Sequence, residues 1–254
     1  MIMRYFYFFL FLDILVLWGC RDSSEEYSQS QENESKGLSE NFKMIYDSRN
    51  GKVYRIISLR DRDWIAENLN FQTENSWCYR DSSEYCDRYG RLYSWGDAMK
   101  ACPEGWKLPD NEDWIDLRKA ASNDSRTLSE LYKLKISGFD RMSGYRKYKD
   151  VRWRYAGTNL KAIEGWFRAI DTSRGIDMLG FGALPGGMRK LDASYDGVKT
   201  DAYFWSATKG DSTRAYVWNL WYNAESLSSG YESKWHNPDG FFGNGFSVRC
   251  VRVH

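Results

Sequence analysis

The chain has 254 residues, room for one large domain or two small ones, and its 42% apolar and 28% charged residues exclude wholesale disorder. Thirty-six Lys and Arg against 35 Asp and Glu leave a net charge of +1, so no strong global field points to nucleic acid or an anionic membrane surface. The outlying number is 17% aromatic residues, 12 of them Trp, which makes partner choice a local matter.

Arg4, an apolar run from Tyr5 to Leu12, Asp13, and Ile14 to Trp18 before Gly19-Cys20 have the outline of a signal peptide over residues 1–19. The run is shorter than the roughly 20 residues that span a bilayer. Leu17-Trp18-Gly19-Cys20 resembles the bacterial lipobox, which implies that Cys20 is lipidated and anchors the protein to a membrane. Arg21 rather than Asp follows Cys20, and by resemblance to bacterial sorting rules this favours the outer membrane. Residues 20–41 then form an acidic tether expected to be disordered, with six Asp and Glu against Arg21 and Lys36. Without the leader (net 0) and this tether (net −4), residues 42–254 carry +5. The other cysteines, Cys78, Cys86, Cys102 and Cys250, are even in number and contain no C-x-x-C pair, consistent with two disulfides in an oxidising compartment.

From Phe42 the chain reads as one domain. Met44–Tyr46 and Val53–Ile57 flank an Asn50-Gly51 signal for a tight hairpin, and a third strand is expected around Trp64–Ala66. Leu92, Trp95, Met99 and Cys102 lie on one helical stripe, which predicts a helix with Cys102 facing the core. Asp110 with Asp113 three residues on, ahead of Trp114, Leu117 and Ala121, predicts an N-capped amphipathic helix. After Gly180 the texture is β-rich. The last strand places Phe246, Val248 and Cys250 on its apolar side. Cys102 and Cys250, both inward, are natural partners, and Cys78–Cys86 then closes a small loop.

Gly51-Lys-Val-Tyr54, Trp64-Ile-Ala-Glu-Asn68-Leu69-Asn70, Trp77-Cys78-Tyr79, Tyr89-Gly90-Arg91-Leu92-Tyr93, Cys102-Pro-Glu-Gly105-Trp106-Lys-Leu108-Pro109, Gly180-Phe-Gly-Ala-Leu184-Pro185-Gly186-Gly187, Trp205-Ser-Ala-Thr208 and Gly245-Phe-Ser-Val-Arg249-Cys250-Val-Arg252 occur in that order. Together they resemble the Fibrobacter succinogenes major paralogous domain over nearly all of residues 45–253. The resemblance implies an α+β, C-type lectin-like fold with two helices and a mainly antiparallel, twisted β-rich half. The pattern departs from the family near residues 131–156, an apparent insertion. Within it, residues 132–154 carry net +6 beside Tyr132, Tyr145, Tyr148 and Trp153, a composition suited to acidic sugars through Arg152, Trp153 and Arg154, or simply to a solvated edge.

Catalytic groups are sparse. With only His236 and His254, a nucleophilic triad has little to build on, and no cysteine is plainly free. Gly180, Gly182, Gly186 and Gly187 read as turn glycines, because Pro185 interrupts them and no Lys-Ser/Thr follows. The sulfatase-activating branch of lectin-like folds uses reactive late cysteines, whereas Cys250 already has a structural partner. Asn237-Pro238-Asp239 and Trp218-Asn219 are similar to calcium-lectin ligand segments but occur in the wrong order, so no cofactor is expected and calcium is a minor possibility. In the strand 216–223, Tyr216, Trp218, Leu220 and Tyr222 share one face, and Val217, Asn219, Trp221 and Asn223 the other. A ring between two amides suits sugar stacking and hydroxyl hydrogen bonding, with Trp235 and His236 alongside; the alternative is that Trp221 and Trp235 pack a second small core.

The expectation is a monomeric, lipid-anchored outer-membrane protein, surface-exposed in one variant, with a non-catalytic binding or adhesion domain for polysaccharide or another envelope component. Its rivals are a polysaccharide-acting enzyme and a structural envelope protein without a small ligand.

Overall fold

The computed structural model describes residues 43–122, 155–167, 173–211, 214–233 and 243–254. The first strands are β1 (Lys43–Asp47), β2 (Lys52–Leu59) and β3 (Arg62–Ile65). Each is paired antiparallel with the next, and β3 also pairs with the last strand, β11 (Val251–Val253), in the order β1-β2-β3-β11. The first and last described strands thus share one sheet. The expected hairpin forms, but Asp47 pairs with Lys52, so four residues turn it. Only Gly51 of the Asn-Gly pair has positive φ, at 74°. The Asp47 carboxylate accepts from the Arg49 guanidinium at 2.8 Å and from its backbone N–H at 3.2 Å, which stabilises the longer turn.

The described residues hold four α-helices: α1 (Ser83–Tyr89), α2 (Trp95–Ala101), α3 (Asn111–Ser122) and α4 (Ala156–Leu160). Two were expected. Helix α1 follows a 3₁₀ turn, Tyr79–Asp81, inside the Cys78–Cys86 loop, where seven residues leave too short a window for a helical period to register. Helix α2 starts later than its stripe suggested. Leu92–Tyr93 is strand β5, paired with β4 (Ser76–Trp77). Ser94 then caps the helix by accepting from Asp97 N–H at 3.3 Å. Its buried side is Ala98 and Ala101, Met99 is exposed, and Cys102 is the half-buried C-cap.

Helix α3 begins as its sequence signals. Asp110 and Asp113 each accept the other's backbone N–H at 3.0 Å, a reciprocal cap, and Trp114, Leu117 and Ala121 are buried. Arg62 Nε at 2.7 Å and Lys107 Nζ at 2.8 Å neutralise the buried Asp113 carboxylate and tie the helix start to β3.

The second half is a five-stranded sheet in the order β10-β9-β8-β6-β7, comprising β6 (Gly186–Arg189), β7 (Tyr195–Val198), β8 (Asp201–Asp211), β9 (Arg214–Trp221) and β10 (Ser228–Ser233). Its pairings are antiparallel except β6 with β8. Of the glycines near 180–187, Gly180 and Gly182 lie outside the strands with φ 71° and 56°, as turn residues do, whereas Gly186 and Gly187, read as turn residues, open β6. Gly187 has φ 67°, and a Cβ there would come within 2.3 Å of the Asp196 carbonyl.

Two apolar clusters hold the sheets together. One gathers Trp64, Trp114, Phe181, Phe204, Trp218 and Leu220, with Trp114 5.1 Å from Trp64 and 6.0 Å from Trp218. The other gathers Tyr54, Ile65, Tyr93, Trp205, Val217, Phe246 and Val248. Cys102–Cys250 and Cys78–Cys86 are bonded, with Cα separations of 5.8 and 4.9 Å. Phe42–His254 is one compact unit. Among the described residues no helix is long and apolar enough to cross a membrane.

Candidate functional site

The β9 face that carries Val217, Asn219 and Trp221 changes character along its length. Register places Trp205 opposite Val217, Tyr203 opposite Asn219 and Asp201 opposite Trp221. Side chains directly opposite share a face. Trp205 and Val217 are buried in the second cluster. Tyr203 is half-buried against Phe246, rings stacked at 5.3 Å. At the end Trp221 remains 37% exposed, beside half-buried Asp201. The face is core at one end and surface at the other.

Polar groups collect where it opens. The Tyr203–Asn219 pair stands next to the Asp201–Trp221 pair on the same face. Asn219 Oδ1 is buried and has no hydrogen-bond partner among the described residues, a state that costs about 1–3 kcal/mol. Ser228 of β10 lies opposite Asn219 on the other side, its hydroxyl 3.4 Å from that of Ser226. Burial raises the Asp201 carboxyl, and the nearby Asp196 charge adds to that; the Thr200 hydroxyl pulls the other way.

The turn after Trp221 is held from behind by a buried lysine. Lys161 Nζ, just after α4, donates to the carbonyls of Trp221 at 2.9 Å, Ala224 at 2.8 Å and Ser173 at 2.5 Å. The Ser173 hydroxyl donates to the Tyr222 carbonyl at 3.1 Å. Three successive hydrogen bonds to one turn fix the backbone that presents Trp221, Tyr222 and Asn223. Phe167, 57% exposed, meets Tyr222 edge-on at 5.5 Å. Backbone bonds from Phe167 N–H to Lys199 and from Tyr222 N–H to Thr200 bring both residues to the Asp201 end of β8.

Of the residues singled out in the sequence, the structure brings Asn219 and Trp221 onto one face and leaves Asn223 exposed in the following turn. Trp235, His236, Arg152, Trp153 and Arg154, the Asn237-Pro238-Asp239 segment, and Cys20 lie outside the described residues. Among those described, no group of three or more His, Cys, Asp or Glu is placed to hold a metal. Sequence reasoning missed Tyr203, Asp201 and Lys161. Period-two alternation within β9 says nothing about which residues of β8 stand opposite, and nothing local marks Lys161 as buried.

A second polar cluster sits where β2 and β3 meet β11. The buried Asp63 carboxylate accepts from Ser58 Oγ at 2.5 Å and Arg252 Nη2 at 2.8 Å, and lies 3.2 Å from His254 Nε2. The carboxylate lies between hydroxyl and imidazole. Activating a serine needs the imidazole in the middle, so this cluster is not arranged as a nucleophile and its base. A dent of about 10 Å³ near Arg62 and Trp64, room for one water, is far below the several hundred Å³ of a small-molecule pocket.

A family model described as the Fibrobacter succinogenes major domain matches residues 38–252. No curated protein and no solved structure matches the chain.

Proposed function

The chain belongs to the Fibrobacter succinogenes major domain family, and from that premise and the β9 face we propose a C-type lectin-like, non-catalytic binding domain that recognises glycans at the cell envelope, tethered through a lipidated Cys20. The observation that carries this is the open end of β9: an exposed indole at the start of a lysine-held turn, beside a half-buried carboxylate that no ion pair reaches among the described residues. Aromatic faces stack on the apolar side of a sugar ring, while amide and hydroxyl groups read its hydroxyls. The face belongs to a sheet whose other side is core, so the groups are preorganised and binding orders little.

The experiment is a glycan array with the intact chain, read for binding and for product release. Retention of a sugar without turnover, weakened by Trp221→Ala, is the expected result. Release of shortened glycan would point to an enzyme. Silence toward every glycan, with capture of an envelope protein, would favour a structural role.

A further inference from the structure

The polar groups around the Trp221 ring ask for donors. Asn219 Oδ1 is a buried acceptor without a partner among the described residues, closed off beneath the surface. Asp201, directly across from Trp221, is half-buried, and among the described residues no ion pair reaches it. The neighbouring Asp196 is already paired with Lys190 at 2.7 Å and adds repulsion rather than relief. Lys161, the buried cation behind the turn, directs its ammonium to three carbonyls. The carboxylate packs against Gly197: Asp201 Oδ2 lies 2.7 Å from where a Cβ on Gly197 would stand, and Gly197 has φ 76°. A glycine there leaves the space the carboxylate fills.

Resting on the glycan reading above, we propose that this face takes sugars that offer hydrogen-bond donors and carry no negative charge, neutral or amino sugars, with Asp201 accepting from them while Trp221 stacks on the ring. Uronate, sulfate and phosphate groups bring only acceptors and a charge of the wrong sign to a partly desolvated carboxylate, where like-charge contact opposes binding. Asp201 is therefore the selectivity residue.

The test is titration of the full chain, at one fixed ionic strength, with cellohexaose, a glucosamine hexamer and a galacturonate hexamer. The proposal predicts that at least one of the first two binds more than about tenfold tighter than the galacturonate hexamer. Asp201→Asn, which keeps the side-chain volume, should shrink that ratio to about threefold or less, mainly by admitting the uronate, with an unchanged melting temperature. A glucosamine preference that Asp201→Asn abolishes would identify ammonium donors; a cellohexaose preference would identify hydroxyls. Uronate binding that Trp221→Ala removes and Asp201→Asn leaves alone overturns the selectivity claim and leaves the glycan reading standing. Binding of all three that Trp221→Ala does not touch, or of none, overturns both.

Discussion

Arg249 is fully buried, and among the described residues its guanidinium reaches only neutral acceptors: Asn68 Oδ1 at 2.8 Å, the Phe181 carbonyl at 2.6 Å and the Gly182 carbonyl at 3.0 Å. Its carbon lies 4.4 Å from the Phe181 ring centre. Burial pushes its pKa down to about 9, against the fields of Glu67 and Asp177. Arg249→Met should strand three buried acceptors and cost about 3–5 kcal/mol by urea unfolding, and Arg249→Lys should recover little because one ammonium cannot span that fork. Alternation along the last strand made Phe246, Val248 and Cys250 legible as inward, and all three are buried. It could not show that Ser247 and Arg249 are buried as well, since that depends on what covers the other side. Asp63 sets the acid limb of stability. Burial would raise its pKa, but hydrogen bonds from Ser58 and Arg252 and the His254 charge outweigh this and hold it below the usual 3.8. A carboxyl lowered on folding stabilises above its unfolded value and loses that contribution as pH falls through the folded one. Urea midpoints should therefore fall below about pH 4, less steeply in Asp63→Asn once its lower starting stability is subtracted. Trp221→Ala, from a partly covered ring, should cost about 1–2 kcal/mol of stability, short of the 3–5 of a buried ring.

Helix α3 was readable from its cap and stripe because both are local. Asp110→Ala should cost about 1 kcal/mol, whereas Asp113→Ala also leaves Arg62 and Lys107 without their shared carboxylate and should cost about 3 kcal/mol or more in thermal melts. Helix α2 was misread at its start. Leu92 suits a helical stripe by spacing, but pairing with Trp77 across a two-residue ladder claims it, and that pairing is non-local. Cys102 nevertheless meets Cys250, because a C-cap at the core's edge reaches the residue just before β11 as well as an inward helical position does. The bridges differ in loop length, 148 against 8 residues of separation. By the loop-entropy model, replacing Cys102 and Cys250 together by Ser should cost about 5 kcal/mol, and replacing Cys78 and Cys86 about 2–3, as read by denaturant unfolding. Equal losses would mean that the bridges act mainly through native packing.

At the scale of the molecule, one order of elements carries both the fold and the face. The α+β character, the early hairpin, the helix at 111 and the β-rich second half were legible because each rests on local period or turn chemistry. The face was half legible. The strand pattern put Asn219 and Trp221 together, but Asp201 and Tyr203 come from register across β8, and Lys161 arrives from a segment 60 residues away. Anchoring is a separate proposition: Cys20→Ser should move the protein from the detergent phase to the aqueous phase or leave an uncleaved precursor, and unchanged partitioning would remove the lipid anchor. The most direct measurement of the central claim is glycan-array binding by residues 42–254, with and without calcium, for wild type and Trp221→Ala. The account predicts a neutral or amino-sugar glycan held without turnover, with or without calcium, and a loss of about 1–3 kcal/mol of affinity in the variant. Binding that survives Trp221→Ala unchanged, or no binding to any glycan by the folded domain, would contradict it.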